Sequence, residues 1–424
     1  MTHKFTILSA AVALALSASV AHAADFDDMV SVRGFGTFGV MHSTEDKADV
    51  LGSVFMPDGA GATRDWDMRS DTKLAGQVNV RFTDKLDFTV QALSQYQHDK
   101  TFAPQIEWAN LKYAFSSDFS VRLGRIALPT FMISDSRMVG YANTFVRPPE
   151  EVYQVSSITS NDGVDASYSF GTGSLKNTVQ AFYGVSKADL PSGNVEADSI
   201  YGLNYLVEAG DASFRVGYIS MQLDLNIPTT DPLLEGLQGF GTLLNSFGLT
   251  TSGGQALALA SKYELQDTDL SFLSIGGSYD PGSWFVMSEA IDFGGDSLLS
   301  DVRAGYISAG ARFGKFTPYA VVSKVKAFIN YEDGISTTGM PAPLAFGANA
   351  LSAGVNQSLN QFRGSQQSAA LGMRWDAFTN IAIKGQYNYV DVGDDSNGLL
   401  GNVQPGFEQG GKYSLYSLSV DFIF

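Results

Sequence analysis

Cysteine is absent from the 424 residues. That excludes thiol catalysis, disulfide staples and cysteine-ligated zinc or iron–sulfur centres. Charge is scarce, at 17% of residues against roughly 25% in soluble domains. Basic residues are scarcer still: 27 Lys and Arg face 44 Asp and Glu, for a net charge of −17. A nucleic-acid partner is therefore excluded, because it would need a basic face to neutralise its phosphates. After the first 23 residues no apolar run is long enough for a membrane-spanning helix. What the chain does have is glycine (44 residues) and aromatics (12%), and disordered chains lack the latter.

Residues 1–23 read as a secretory signal peptide, with residues 24–424 as the mature domain. Lys4 supplies the positive start, Ile7 to Val20 the apolar stretch, and Ala21-His22-Ala23 the small-residue cleavage site. Its removal takes away Lys4 and no acid, so the mature chain carries −18 and only two histidines, His42 and His98. An exported chain without a spanning helix can sit in a membrane only as a closed barrel, the other structure that satisfies its own backbone there.

Period-two alternation supports that reading. In Lys73–Phe82, Leu74, Gly76, Val78, Val80 and Phe82 share one face while Lys73, Gln77, Asn79 and Arg81 share the other. Seven tight turns recur, at Thr83–Lys85, Ser116–Asp118, Gly171–Ser174, Glu208–Asp211, Asp280–Ser283, Gly314–Lys315 and Asp376–Asn380. Their 14 strands, an opening strand near Val32–His42 and a closing one at Lys412–Phe424 make 16. The remaining connections are long: Ser43–Thr72, Gln97–Pro104, Ile126–Asn161, Ser186–Asp198, Met221–Asp269, Asp292–Ser300, Ala327–Gln366 and Asp391–Gly411. Short turns at one end, long loops at the other and an even strand number predict an all-β, 16-stranded antiparallel transmembrane barrel with short periplasmic turns and long extracellular loops. A soluble β-sandwich would also bury an apolar face, but it would not sort loop lengths by end. Aromatics near the turns (Tyr113, Phe115, Tyr168, Phe170, Phe313, Trp375) suit an interfacial girdle.

The last strand places Tyr416, Leu418, Val420, Phe422 and Phe424 on one face, and the chain opens with Val32–Val40, V-R-G-F-G-T-F-G-V. In both, and in its layout throughout the mature chain, the sequence resembles the outer-membrane porins of Gram-negative bacteria. The resemblance implies a homotrimer of 16-stranded barrels, a terminal Phe424 read by the barrel-assembly machinery, and a third long loop folded into each pore. That loop is Ile126–Asn161; it lacks the strongly acidic tip of a cation-selective general porin.

Charge on a lipid face costs about 2–4 kcal/mol for Lys or Arg at the midplane, so strand charges are assigned to the lumen. This predicts a basic lumen wall of Arg81, Lys112, Lys176, Arg215, Arg312, Lys326, Arg374 and Lys384, together with Lys73, Arg122 and Lys324. The matching acids are Asp87, Asp165, Glu289 and Asp421, leaving an excess of about +7 by the alternation rule. Arg125 and Arg303 fall on the lipid parity near loops. The predicted constriction sets Arg122, Arg125 and Lys324 against Asp135, Arg137, Arg147, Glu150 and Glu151 of the third loop. Either these charges make a transverse field, or Arg137 and Glu150 simply pin the loop.

Seven acids in Ser43–Thr72 and four in Asp391–Gly411 either keep the loops soluble or bind divalent cations that bridge lipopolysaccharide phosphates. Leu233, Leu234, Leu237, Phe240, Leu244 and Phe247 predict a short amphipathic helix in the fifth loop. Pro341–Gly364, rich in Ala, Gly, Asn and Gln, is expected to be a mobile loop. Two histidines at outer strand ends, with no G-x-S-x-G, P-loop or H-E-x-x-H motif, argue against an enzyme, and no cofactor or metal is expected. The expected function is passive diffusion of small hydrophilic solutes and ions through a water-filled pore in contact with outer-membrane lipid and lipopolysaccharide. Rings of Lys or Arg favour anions, so a mild anion preference is predicted. The alternatives are a substrate-specific channel for carboxylates or phosphate and a non-conducting adhesin.

Overall fold

The structure is a computed structural model that describes residues 29–156, 158–295, 299, 301–361 and 364–424. The predicted signal peptide, 1–23, lies outside the described residues. Sixteen long strands run in chain order: β1 (Val30–Ser43), β2 (Lys73–Thr83), β3 (Leu86–Gln95), β4 (Gln105–Ala114), β5 (Phe119–Ala127), β6 (Ser160–Thr172), β7 (Leu175–Leu190) and β8 (Gly193–Ala209) form one half. The other half is β9 (Ala212–Asn226), β10 (Thr268–Tyr279), β11 (Trp284–Gly294), β12 (Asp301–Ala311), β13 (Phe316–Phe328), β14 (Gln366–Phe378), β15 (Ile381–Val392) and β16 (Lys412–Ile423). Each pairs antiparallel with its neighbours, and β1 pairs with both β2 and β16, which closes the barrel. Closure satisfies every strand edge, as a barrel in lipid must.

All seven tight turns fall where alternation breaks in the sequence. At Gly210 (φ 58°) and Asn380 (φ 62°) the chain enters the left-handed region, which tight hairpin turns require and which Gly and Asn tolerate. The seam at β1–β16 has its own glycine logic. A Cβ on Gly34 would lie 2.1 Å from the Phe424 ring, and one on Gly36 would lie 2.4 Å from the Phe422 ring. The G-F-G spacing thus seats the two terminal aromatics.

Two expectations about the loops fail. Ser186–Asp198 is not a loop: β7 continues to Leu190 and β8 starts at Gly193, with bulges between Gly184 and Ser186 and between Ala197 and Ser199. Beyond the apolar band a strand is wetted on both faces, so it loses the alternation that identifies it. The Lys187–Glu196 cross-strand ion pair shows the result. Pro341–Gly364 is not a mobile loop either, for it forms helix α4 (Ala342–Gln361), which follows α1 (Glu150–Tyr153), α2 (Asp231–Ser246) and α3 (Thr250–Lys262). Leu344, Ala348, Leu351, Val355 and Leu359 recur at helical spacing there, behind the Gly and Asn that made the segment look irregular.

The predicted amphipathic helix is α2. Its Leu237 and Leu244 are fully buried in one core with Ala256 and Leu259 of α3 and Ala348 and Val355 of α4. Gly241 and Gly253 let α2 and α3 approach closely: a Cβ on Gly241 would sit 2.9 Å from the Gly253 carbonyl oxygen. The same core takes in the inward residues of β9–β13, among them Ile219, Phe272, Ile291, Tyr306 and Val321. Among the described residues no helix is long and apolar enough to cross a membrane.

Candidate functional site

The third long loop, between β5 and β6, folds into the barrel. Its carbonyls and amides would be orphaned there without partners, and the inner wall supplies them. Arg215 donates to Thr130 O at 3.1 Å and to Pro129 O; Arg374 donates to Tyr141 O (2.6 Å) and Asn143 O (3.0 Å). Lys384 donates to Gly140 O (2.7 Å) and Phe145 O (2.9 Å) and pairs with Asp421 at 2.9 Å. Glu289 accepts from the Met132 amide and the Tyr153 hydroxyl, each at 2.9 Å. Three bases of the predicted lumen wall are thereby occupied by loop backbone and do not line open water.

The predicted loop charges divide by task. Glu151 is buried and accepts from Ser323 Oγ (2.6 Å) and Gln366 Nε2 (2.8 Å) of β13 and β14. Arg137 donates to Tyr153 O (2.5 Å) and Ser156 O (2.9 Å), and burial lowers its guanidinium to about 10. Arg147 reaches Asp71 and Glu150, each at 3.3 Å, and donates to Ser417 Oγ at 2.5 Å. It thus ties the third loop to the first loop and to β16. Burial pushes Glu150 up to about 7 despite Arg147, and its Oε1 accepts no hydrogen bond. Asp135 stays exposed, within electrostatic range of Arg122 and Arg215.

Lys324 and Lys326 do not belong to the lumen wall. Along β13, Tyr319, Val321, Ser323, Val325 and Ala327 are buried toward the interior while Ala320, Val322, Lys324, Lys326 and Phe328 are exposed outward. The parity rule assumed that the apolar face meets lipid. Over β9–β13 the third loop packs against the inner wall and α2–α4 join the same apolar core, so much of the inward face is apolar as well. Arg125 lines the long-loop-side cavity together with Arg137, Arg147 and Glu150 of the third loop. It lies off the inward row of Arg122, beyond a kink at Gly124 (φ 123°), and is committed to Asp162 at 2.7 Å.

The opposite wall is polar toward the short turns, while nearer the long loops Phe35, Ala75 and Leu93 pack against Met138 and Val139 of the third loop. Gln77 donates to Asn79 (3.0 Å), Gln91 to Gln77 (2.8 Å), and Arg122 forks onto Asp165 of β6. Toward the short-turn end, Arg81 meets Asp87 at 3.6 Å, Lys176 meets Glu208 at 2.8 Å and Arg312 meets Asp280 at 2.6 Å. Lys112 has no carboxylate partner among the described residues, nor has Arg33, which sequence reasoning passed over although it stands opposite Gln77 in register. With Lys73, which also has no ion pair among the described residues, the excess of about +7 shrinks to three free bases. On the long-loop side, a cavity of about 250 Å³ opens between the first three loops and the end of β7, with Lys73, Glu107, Arg137, Arg147 and Glu150 among its lining.

The first-loop acids are largely engaged. Asp58 meets Arg69 (2.6 Å) and the Tyr96 hydroxyl (2.8 Å), Asp67 meets Arg69 (2.9 Å), and Asp49 accepts from Thr63 and Asn402. Among the described residues no group of three or more His, Asp or Glu is placed to hold a metal ion. His42 stacks on Trp66 at 4.8 Å, and its Nδ1 lies 2.6 Å from the Asp65 carbonyl oxygen.

Solved structures share this architecture. The outer-membrane channel DcaP of Acinetobacter baumannii superposes with a TM-score of 0.53 at 12% identity, over 93% of this chain and 97% of that one. The anion-selective porin from Comamonas acidovorans gives 0.52 at 11%, over 93% and 99%. The fold is that of the 16-stranded porins. A loop-deletion form of OmpT, an outer membrane protein of Vibrio cholerae, gives 0.51 at 10%, over 94% and 100%. No family model and no curated protein matches the sequence.

Proposed function

We propose that the chain is an outer-membrane porin through which small hydrophilic solutes and ions diffuse passively. The observation that carries this reading is a closed 16-stranded barrel whose inner wall over β1–β6 is polar toward the short turns, with the third loop folded inward above it. Barrels of this size leave an aqueous channel. Arg122 and Asp135 supply opposed charges on wall and loop, while Arg137, Arg147, Glu150 and Glu151 hold the loop in place.

The anion preference is mild and rests on Arg33 and Lys112, since the other bases of that vestibule are paired. The similar fold of an anion-selective porin is compatible with that sign. A basic ladder for one class of anion would need Arg215, Arg374 and Lys384, which are engaged by loop carbonyls. Residues 1–23 are removed on export, Phe424 marks the end of the chain for barrel assembly, and the mature chain assembles as a homotrimer in contact with lipopolysaccharide. A fold relative has been solved in a trimer form.

Purified protein in planar bilayers under a salt gradient tests the function. Stable unit conductance with a reversal potential toward the anion side is expected. Clear cation preference would overturn the sign, and negligible conductance the channel.

A further inference from the structure

The outward face of β10–β14 carries a feature that diffusion through the pore does not use. Three bases stand near its long-loop end: Arg303 on β12 and Lys324 and Lys326 on β13, with Arg303 and Lys326 opposite each other in register. Arg303 and Lys326 both lie over the ring of Phe328, each 5.1 Å from its centre. That places their charges within reach of a single headgroup. Arg303 has a partner in Asp292 at 2.8 Å, but Lys324 and Lys326 have no carboxylate partner among the described residues. Another outward base, Lys412, is paired with Asp391.

Directly below the bases the apolar surface is dented. Ala290, Gly305 and Lys324 are register partners, and so are Ile307, Val322 and Ala369 one step toward the turns. The small side chains in the first row leave two adjoining grooves, of about 580 Å³ and about 510 Å³, that share Ala290, Gly305 and Lys324. A Cβ on Gly305 would lie 3.2 Å from the Glu289 carbonyl oxygen and 3.7 Å from Ala290, a tight approach, so any larger side chain there would have to fill the dent itself. The lining is mostly apolar and also holds two outward carboxylates, Asp292 paired with Arg303 and Asp391 paired with Lys412 at 3.7 Å, so the free charges are Lys324 and Lys326. Cations over such a groove complement a lipid that places phosphate at the headgroup level and acyl chain below.

We propose that this face binds lipid A, the phosphorylated lipid of the leaflet on the long-loop side. Its phosphates lie on Lys324, Lys326 and Arg303, and an acyl chain lies over Gly305 and Ala290. The inference rests on the outer-membrane reading above, and bilayer conductance of the same preparation tests that reading separately.

The experiment is native mass spectrometry of the full-length folded protein in mild detergent. It is titrated with bisphosphorylated lipid A, its dephosphorylated form and phosphatidylglycerol, with heat-modifiable gel mobility as the check of folding. Lipid A is expected to bind the wild type at least tenfold tighter than either comparison lipid. The Lys324→Gln/Lys326→Gln pair should lose that advantage, and Gly305→Leu should weaken it with all charges intact, whereas Lys112→Gln inside the barrel should not. Equal binding of phosphatidylglycerol, or of lipid A by the lysine double variant, would overturn the proposal. So would a change of oligomeric state in the folded Gly305→Leu variant with lipid A binding unchanged, which would make the dent a contact between copies.

Discussion

The two sides of the barrel interior obey the same period-two rule and end with opposite chemistry. Over β1–β6 the inward row toward the short turns is Arg33, Gln77, Asn79, Gln91, Lys112, Arg122 and Asp165, a wall for water, and only its long-loop end, at Phe35, Ala75 and Leu93, packs on the third loop. Over β9–β13 it is Ile219, Phe272, Ile291, Tyr306 and Val321, packed on the third loop and the helices above it. A strand reports only that its two faces differ. Which face is apolar depends on whether lipid, water or another part of the chain lies against it. Where the lumen is filled, polarity no longer marks the inside, and the outside can carry lysine.

The sharpest way to break the contrast is to empty the filled side. Phe272 is fully buried and meets Phe131 of the third loop edge-on at 5.5 Å. Phe272→Ala should cost about 3–5 kcal/mol, seen as a lower unfolding midpoint of the folded band, and should raise unit conductance as the loop loosens. A smaller loss, about 1–3 kcal/mol for the hydrogen bonds left unmade, is expected of Glu151→Ala, which strands Ser323 and Gln366.

Next comes the junction between the halves. Glu150, held up to about 7 against an ordinary value of 4.5, binds its proton more tightly in the fold than in the unfolded chain. The stability it lends is complete below its ordinary value, declines as pH rises above it and is lost as pH passes about 7. Conductance noise from loop motion should therefore grow between pH 5 and 8, and Glu150→Gln should flatten that dependence. The smallest effect belongs to the open side: Lys112→Glu, alone or with Arg33→Glu, should shift the reversal potential toward cations without changing the unfolding midpoint. Unchanged selectivity in the double variant would show that the field of the pore is set elsewhere.

Much of the barrel was legible. Alternation located all sixteen strands and the seven turns, because within the apolar band one face of each strand must be apolar. The amphipathic pattern from Leu233 to Phe247 located α2 for the same reason. The losses have one physical origin. The β7–β8 extension stands in water, so its alternation fades. The α4 sequence packs small residues against α2, as where Gly347 meets Phe240, and small residues read as loop. Lys324 and Lys326 were placed inside because a lysine on a strand was weighed only against lipid. Their neighbours Val321, Val325 and Ala327 carried the contrary signal. In the pore, the residues that hold the third loop could be guessed by type, but not that Arg215, Arg374 and Lys384 would bind its backbone. Alternation places a side chain on a face and says nothing of what crosses the lumen toward it.

The seam between β1 and β16 has a consequence for how the chain becomes a barrel. Gly34 and Phe424 exchange backbone hydrogen bonds at 2.8 and 3.0 Å, although they lie at opposite ends of the described residues. Contacts of such long range carry the largest loop-closure cost and form slowly. Until β16 pairs with β1, both strands present open edges, which favours pairing with other chains. Ring closure is therefore a single late event rather than the sum of hairpins, and a chain shortened by one strand would be left as an open, adhesive sheet.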